Sequence, residues 1–206
     1  MNAPTTLHPV PYHSQWESAS LVPEFITGQR DAADDPLWQK SGADTPQEYA
    51  FWAPRMCGVA CLRMALDFWQ RSVPSSVPLV KELCEAGAYV RNDHTVKGLI
   101  YQPFAEYTRA RWGMHAQAMP DLPATSLPEI ITSGRLALVS VHKTIRTPQA
   151  DPPSRGGHLV LAVGFSKQDV MLHNPSGLPG TSQQAARVPW DRFDAFYAHR
   201  GVVLGD

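Results

Sequence analysis

Cysteine is scarce in this protein: 206 residues hold three, Cys57, Cys61 and Cys84. An odd count, with Cys57 and Cys61 one helical turn apart, is not a disulfide framework, and it points to a reducing compartment, with the cytoplasm as the expected location. An excess of one charge is missing as well. Eighteen Lys and Arg stand against nineteen Asp and Glu, for a formal net charge of −1. No Lys/Arg run forms a stripe that could track a phosphate backbone, so nucleic acid is excluded as a partner. Nowhere do about 18 uncharged apolar residues run together, and residues 1–10, MNAPTTLHPV, have neither the basic start nor the apolar stretch of a signal peptide. Neither a membrane span nor an export signal is expected. CxxC, HExxH, a second cysteine pair and a phosphate-binding glycine loop are all lacking, so no metal and no cofactor is expected.

What is present suits one sizeable core. With 43% hydrophobic residues, the whole of 1–206 reads as a single domain. Residues 16–53 are rich in Pro, Asp, Gln and Gly, lack a sustained period and carry isolated aromatic anchors, which marks them as an insertion or lid. Val59, Ala60, Met64, Ala65, Phe68 and Trp69 then recur at helical spacing, which predicts a central helix starting at Cys57. Further helices are predicted over 78–86 and 96–111, with a helical turn capped by Ser126. The strand signals come last: a short run at 115–119, then LALVSVH (136–142), HLVLAVGF (158–165), VMLHN (170–174) and GVVL (201–204). Helices first and sheet second predict an α+β fold, with an antiparallel sheet packed on the Cys57 helix.

Cys57 is the candidate nucleophile. In RMCGVACLRMAL its sulfur falls in the first turn of that helix, where unpaired N–H groups and the positive end of the helix dipole favour thiolate over thiol. Gly58 offers close approach to the main chain. A thiol nucleophile also needs a proton acceptor, a group to orient that acceptor, and donors for the oxyanion. His158 opens the strand GGHLVLAVGF, at a mouth that can face a cleft. Asn174, in VMLHNP, returns to the same open end of the hairpin, and strand alternation makes it a better orienting group than His173 is a second base. A two-residue turn sets Asn174 opposite Leu161, so a bulge or longer loop is needed to bring it to His158. Gln15, in VPYHSQWE, offers an amide that can form an oxyanion hole with the Cys57 N–H.

The ordered set VPYHSQ, MCGVACLRMAL, GGHLVLAVGF and VMLHNPSG, followed by VPWDRFDAFY, resembles the double-glycine (bacteriocin-processing) leader peptidase-like cysteine peptidases, family thirty-nine of the cysteine peptidases, in the papain-like clan. The resemblance implies a papain-like fold, with Gln15 as the oxyanion glutamine, Cys57 as nucleophile, His158 as base and Asn174 as the orienting residue before proline. Asn174 stands where close relatives usually carry aspartate; asparagine serves in the wider clan. The expected function is therefore hydrolysis of a peptide or isopeptide amide in a peptide or protein substrate, through an acyl-enzyme. Two alternatives keep the fold: a catalytically silent peptide-binding module, and an acyltransferase using the same thioester.

Overall fold

LALVSV, HLVLAVGF and the VVL end of the final strand are apolar at almost every position because both faces of the sheet are covered there. The computed structural model describes residues 5–92 and 95–206. A short strand β1 (Thr6–Leu7) is followed by helices α1 (Val22–Thr27), α2 (Pro46–Trp52), α3 (Cys57–Phe68) and α4 (Ser76–Glu85). A small hairpin, β2 (Val90–Arg91) and β3 (Val96–Lys97), leads to α5 (Tyr101–Trp112), β4 (His115–Met119) and α6 (Leu127–Thr132). The C-terminal part holds β5 (Leu136–Val141), β6 (His158–Phe165), β7 (Asp169–His173), β8 (Ala186–Pro189), α7 (Trp190–Phe196) and β9 (Tyr197–Gly205). The main sheet runs β4-β9-β5-β6-β7-β8, with β1 paired to the end of β6, and each of these pairings is antiparallel.

The expected α+β architecture is therefore present, with one addition. Leu159, Leu161 and Val163 of β6 face the core shared with α3 and α4, while Val160 and Ala162 face a second core with α6 and α7. Burial on both sides replaces the polar and apolar alternation of a one-sided antiparallel sheet with a continuous apolar run.

Three local expectations are corrected. Residues 96–97 are a strand, and the helix begins only at Tyr101. Pro103 thus falls in the first turn, where its missing N–H has no intrahelical use and so does not interrupt the helix. Ser126 precedes α6 but makes no side-chain cap bond. Strands β1 and β8 were not foreseen, being short and poor in β-branched runs.

Residues 16–53 are pinned to the main core. Trp16, Val22, Tyr49, Trp52 and Ala53 are buried in the cluster that also holds the buried face of α3. Asp35, 1% exposed, is the hub. Its carboxylate accepts from Ser18 Oγ (2.5 Å), Ser18 N (3.1 Å), Tyr49 Oη (2.6 Å) and Leu37 N (2.9 Å). Helix α2 starts at a cap written in the sequence as Thr45-Pro46-Gln47-Glu48: Thr45 Oγ1 accepts from Glu48 N at 3.1 Å, and Asp44 N donates to Glu48 Oε2 at 2.8 Å.

Candidate active site

Cys57 is the first residue of α3, reached through a 3-10 turn at Ala53–Arg55 and a Met56 that gives no side-chain cap. The leading N–H groups of the helix are thus left for other use. The start of β6 lies directly against this end. Cys61 Sγ, one turn along, donates to Leu159 O at 3.8 Å, which places Cys61 as a packing residue.

The Cys57 thiol is subject to opposing influences. Burial pushes it up, while the backbone amides of Leu159, Gly58 and Cys57 itself pull it down; the net direction is up. The expectation that the helix start favours thiolate is therefore corrected, because desolvation outweighs the amides. Arg55 takes no part in this balance: its guanidinium stacks 4.5 Å from the Phe51 ring centre and Nη1 donates to Phe51 O at 2.5 Å. Gly58 also has a different reason. A Cβ there would lie 2.9 Å from Tyr89 Oη, 3.1 Å from Leu159 Cδ1 and 3.2 Å from Leu99 Cδ2, so its missing side chain makes room for packed neighbours.

His158, 6% exposed, opens β6. Its Nε2 lies 2.8 Å from Asn174 Oδ1 and 3.1 Å from Ser176 Oγ. Asn174 Oδ1 also accepts from Ser176 N at 3.1 Å, which identifies that amide atom as the oxygen. Nε2 must then carry the proton and donate it to Asn174. Nδ1 is the unprotonated nitrogen, and it makes no hydrogen bond among the described residues. Burial pushes the imidazole down to about 4, against the bond to Asn174, which raises it; Arg146 and His142 lower it further.

The bulge that this contact needs is present. Phe165 pairs with Val170 and Gly164 with Met171, but Ala162 then pairs with Leu172 and Leu161 with His173, so Val163 is the extra residue. Continuing by one pair sets Asn174 across from Val160, on the same face of β6 as His158. His173 falls on the other face, where Nε2 bonds Val10 O at 2.8 Å and Nδ1 accepts from Ala185 N at 2.9 Å. It is a structural residue. So is His142, whose Nδ1 caps the turn at Lys143–Arg146.

Gln15, 4% exposed, ties the two halves together. Its backbone N–H donates to Pro175 O at 3.0 Å, and its Nε2 donates to Ala53 O at 2.9 Å. One Nε2 hydrogen remains, and Oε1 is buried without a partner. Gln15, Cys57 and His158 all line one cleft of about 1060 Å³, while Asn174 stands behind His158, outside the lining. Ser176 and Arg146 were missed in the sequence. Ser176 lines the cleft and touches His158, and Arg146 Nη2 donates to Ser176 Oγ at 3.0 Å. The only signal for Ser176 was its place two residues after Asn174, where an N-P-S turn brings an N–H back to the amide. Among the described residues no group of three His, Cys, Asp or Glu side chains could hold a metal ion, and no helix is long and apolar enough to cross a membrane.

No curated protein matches the sequence at a significant level. Among solved structures, it is similar to a C39-like peptidase from Bacillus anthracis, with a TM-score of 0.59 at 11% identity over 98% of each chain. It is also similar to the peptidase domain of Streptococcus ComA, a bifunctional ABC transporter of a quorum-sensing pathway, with a TM-score of 0.51 at 16% identity over 74% of this chain and 92% of that one. At such identities the likeness is one of fold. The family model is the stronger finding: the Peptidase_C39 like family matches residues 35–203, a span that holds Cys57, His158 and Asn174 but not Gln15. With most of its length inside that match, the chain belongs to the Peptidase_C39 like family.

Proposed function

We propose that the protein is a papain-like cysteine peptidase that hydrolyses a peptide or isopeptide amide, with Cys57 as nucleophile, His158 as base, Asn174 as its orienting group, and Gln15 with the Cys57 N–H as oxyanion donors. The observation that carries this reading is the tautomer of His158: Nε2 is committed to Asn174 at 2.8 Å, and a bare Nδ1 remains on a residue that lines the same cleft as Cys57.

Burial favours the neutral form of each member of the pair, so the resting site holds thiol and imidazole, and charge separates only as substrate is attacked. Cys57 Sγ forms a bond to the carbonyl carbon as its proton passes to His158 Nδ1, and the carbonyl π electrons move onto oxygen. The oxyanion is met by the Cys57 N–H and the remaining Gln15 Nε2 hydrogen. Collapse breaks the C–N bond, and His158 returns the proton to the leaving amine. Water then attacks the thioester, giving its proton to Nδ1 and, through it, to the departing sulfur. Residues 16–53 act in this reading as a fixed wall of the cleft, supported by the buried Asp35 hub and by Trp16, Phe25 and Ile26 in its lining. Three free cysteines support a reducing location such as the cytoplasm.

The test is mass-spectrometric mapping after treatment with a peptidyl electrophile. Modification is expected at Cys57, to be lost in His158→Ala. Equal labelling of Cys57 and Cys84 sinks the assignment.

A second reading, a peptide-binding module that does not cut, is favoured by one observation: both members of the pair are held neutral by burial. Cys57→Ala separates the two, since a binding module keeps full function without the sulfur. Acyl transfer in place of hydrolysis is read from the products formed with added amine.

A further inference from the structure

The cleft carries charge of one sign. Its lining includes Arg55, Lys97, Lys143, Arg146 and Arg200, and no Asp or Glu among the described residues, in a protein whose formal net charge is −1. None of these five forms an ion pair among the described residues, although eight other Lys and Arg side chains do: Arg30, Arg63, Arg71, Lys81, Arg111, Arg155, Arg187 and Arg192. Of the thirteen Lys and Arg side chains outside the cleft lining, these eight are matched and Lys40, Arg91, Arg109, Arg135 and Lys167 are not, whereas none of the five facing the cleft is matched among the described residues.

Three of the five gather on the His158 side. Lys143 and Arg146 lie on the turn after β5, with Arg146 Nε bonded to Lys143 O at 2.9 Å and Nη2 to Ser176 Oγ at 3.0 Å. Arg200, on β9, lays its guanidinium over the loop that leads into His158: a Cβ on Gly156 would lie 3.3 Å from Arg200 Nη2. Gly156 and Gly157 both have positive φ, 81° and 93°, so the loop turns tightly under that guanidinium and delivers His158 beside it. Arg146 is half-buried with no carboxylate to compensate it, an arrangement that favours a negative charge brought by a ligand.

We propose that the cleft selects acidic peptides, and that Lys143, Arg146 and Arg200 receive Asp or Glu side chains on the leaving-group side of the scissile amide. The side follows from the chemistry. His158 hands its proton to the leaving amine, so the substrate residues that follow the cut pass beside His158 and along this wall. The inference rests on the peptidase reading for its direction, while the preference for anionic ligand rests on the cleft charge alone.

The test digests a complex peptide library and sequences the new N-termini by mass spectrometry. In parallel, Cys57→Ala is titrated with a labelled Glu-rich peptide, its Gln-matched counterpart and an oligothymidylate of equal charge. Asp and Glu are expected to be enriched about fivefold in the first few positions after the cut. The enrichment should vanish in the double variant Lys143→Glu/Arg200→Glu and weaken as salt rises. No cleavage, with charge-dependent preference for the Glu-rich peptide, keeps the inference and removes the hydrolysis. Cleavage without acidic enrichment keeps the hydrolysis and overturns the inference. Equal binding of the Glu-rich and Gln-matched peptides, or tighter binding of the oligothymidylate, also overturns it.

Discussion

His158 Nε2 reaches Asn174 Oδ1 at 2.8 Å because β6 carries one residue more than β7 needs. Without the extra Val163, the pairing of Phe165 with Val170 would run on to set Asn174 against Leu161, on the wrong face. The bulged residue is also used from the other side, since its carbonyl accepts from His8 N at 2.9 Å.

Replacing Asn174 tests that contact. Asn174→Ala leaves His158 free to turn and to change tautomer, and kcat is expected to fall by roughly a hundredfold with little change in KM. Asn174→Asp keeps the acceptor and adds charge, so it should retain most of the activity. Steady-state kinetics on one cleaved peptide checks both.

With His158 as the proposed base, the acidic limb of kcat/KM is expected near pH 4, because an imidazole accepts a proton only while neutral and burial holds this one down to about 4. In Asn174→Asp a carboxylate stabilises the imidazolium, and the limb should move to higher pH.

The same shift bears on stability. The folded pKa lies below the unfolded value of 6.5, so between pH 6.5 and about 4 the unfolded protein binds the extra proton and stability falls as pH falls. The contribution lost across that window is about 3 kcal/mol, at ~1.4 kcal/mol per unit. Urea unfolding at pH 7 and pH 4.5 should show a smaller acid loss for His158→Gln than for the wild type.

Gly58→Ala is expected to cost ~1–3 kcal/mol through overpacking against Tyr89 Oη at 2.9 Å. That hydroxyl is buried without a partner, so Tyr89→Phe alone should stabilise the fold by about 1 kcal/mol, and in the double variant it should recover part of the loss. Thermal melts of the three proteins decide it.

Asp35→Ala strands the Ser18, Leu37 and Tyr49 donors and is expected to destabilise by ~2–4 kcal/mol. If residues 16–53 are a wall, peptide turnover should fall in step with the loss of folded protein. A rise in turnover would instead show that they gate the cleft.

Much of this was legible in the sequence, for identifiable reasons. Helix α3 announces itself by period, and β5, β6 and β7 by apolar runs whose ends fall within a residue or two of the expected ones. The meeting of His158 with Asn174 was conditional, since a bulge has no signature in a run such as VLAVGF, where any residue could be the extra one. Ser176 and Arg146 were beyond reach for a similar reason: a serine after Asn-Pro and an arginine in a turn look like solvent-exposed loop until the fold brings residues 146, 158 and 176 together. The rise of the Cys57 thiol was hidden because a helix start read in isolation has no depth, and what lies against it, Leu159 at the start of β6, comes from a distant part of the sequence.

Leu159 follows His158 directly. Its amide acts on the Cys57 sulfur, while its carbonyl receives the Cys61 thiol. One residue therefore adjoins the imidazole along the strand and acts on the sulfur through its own N–H. A slip of the strand mouth along the helix would detune the proposed proton acceptor and the proposed nucleophile together, so damage here should appear as joint silence of both groups, with no partially working intermediate left behind.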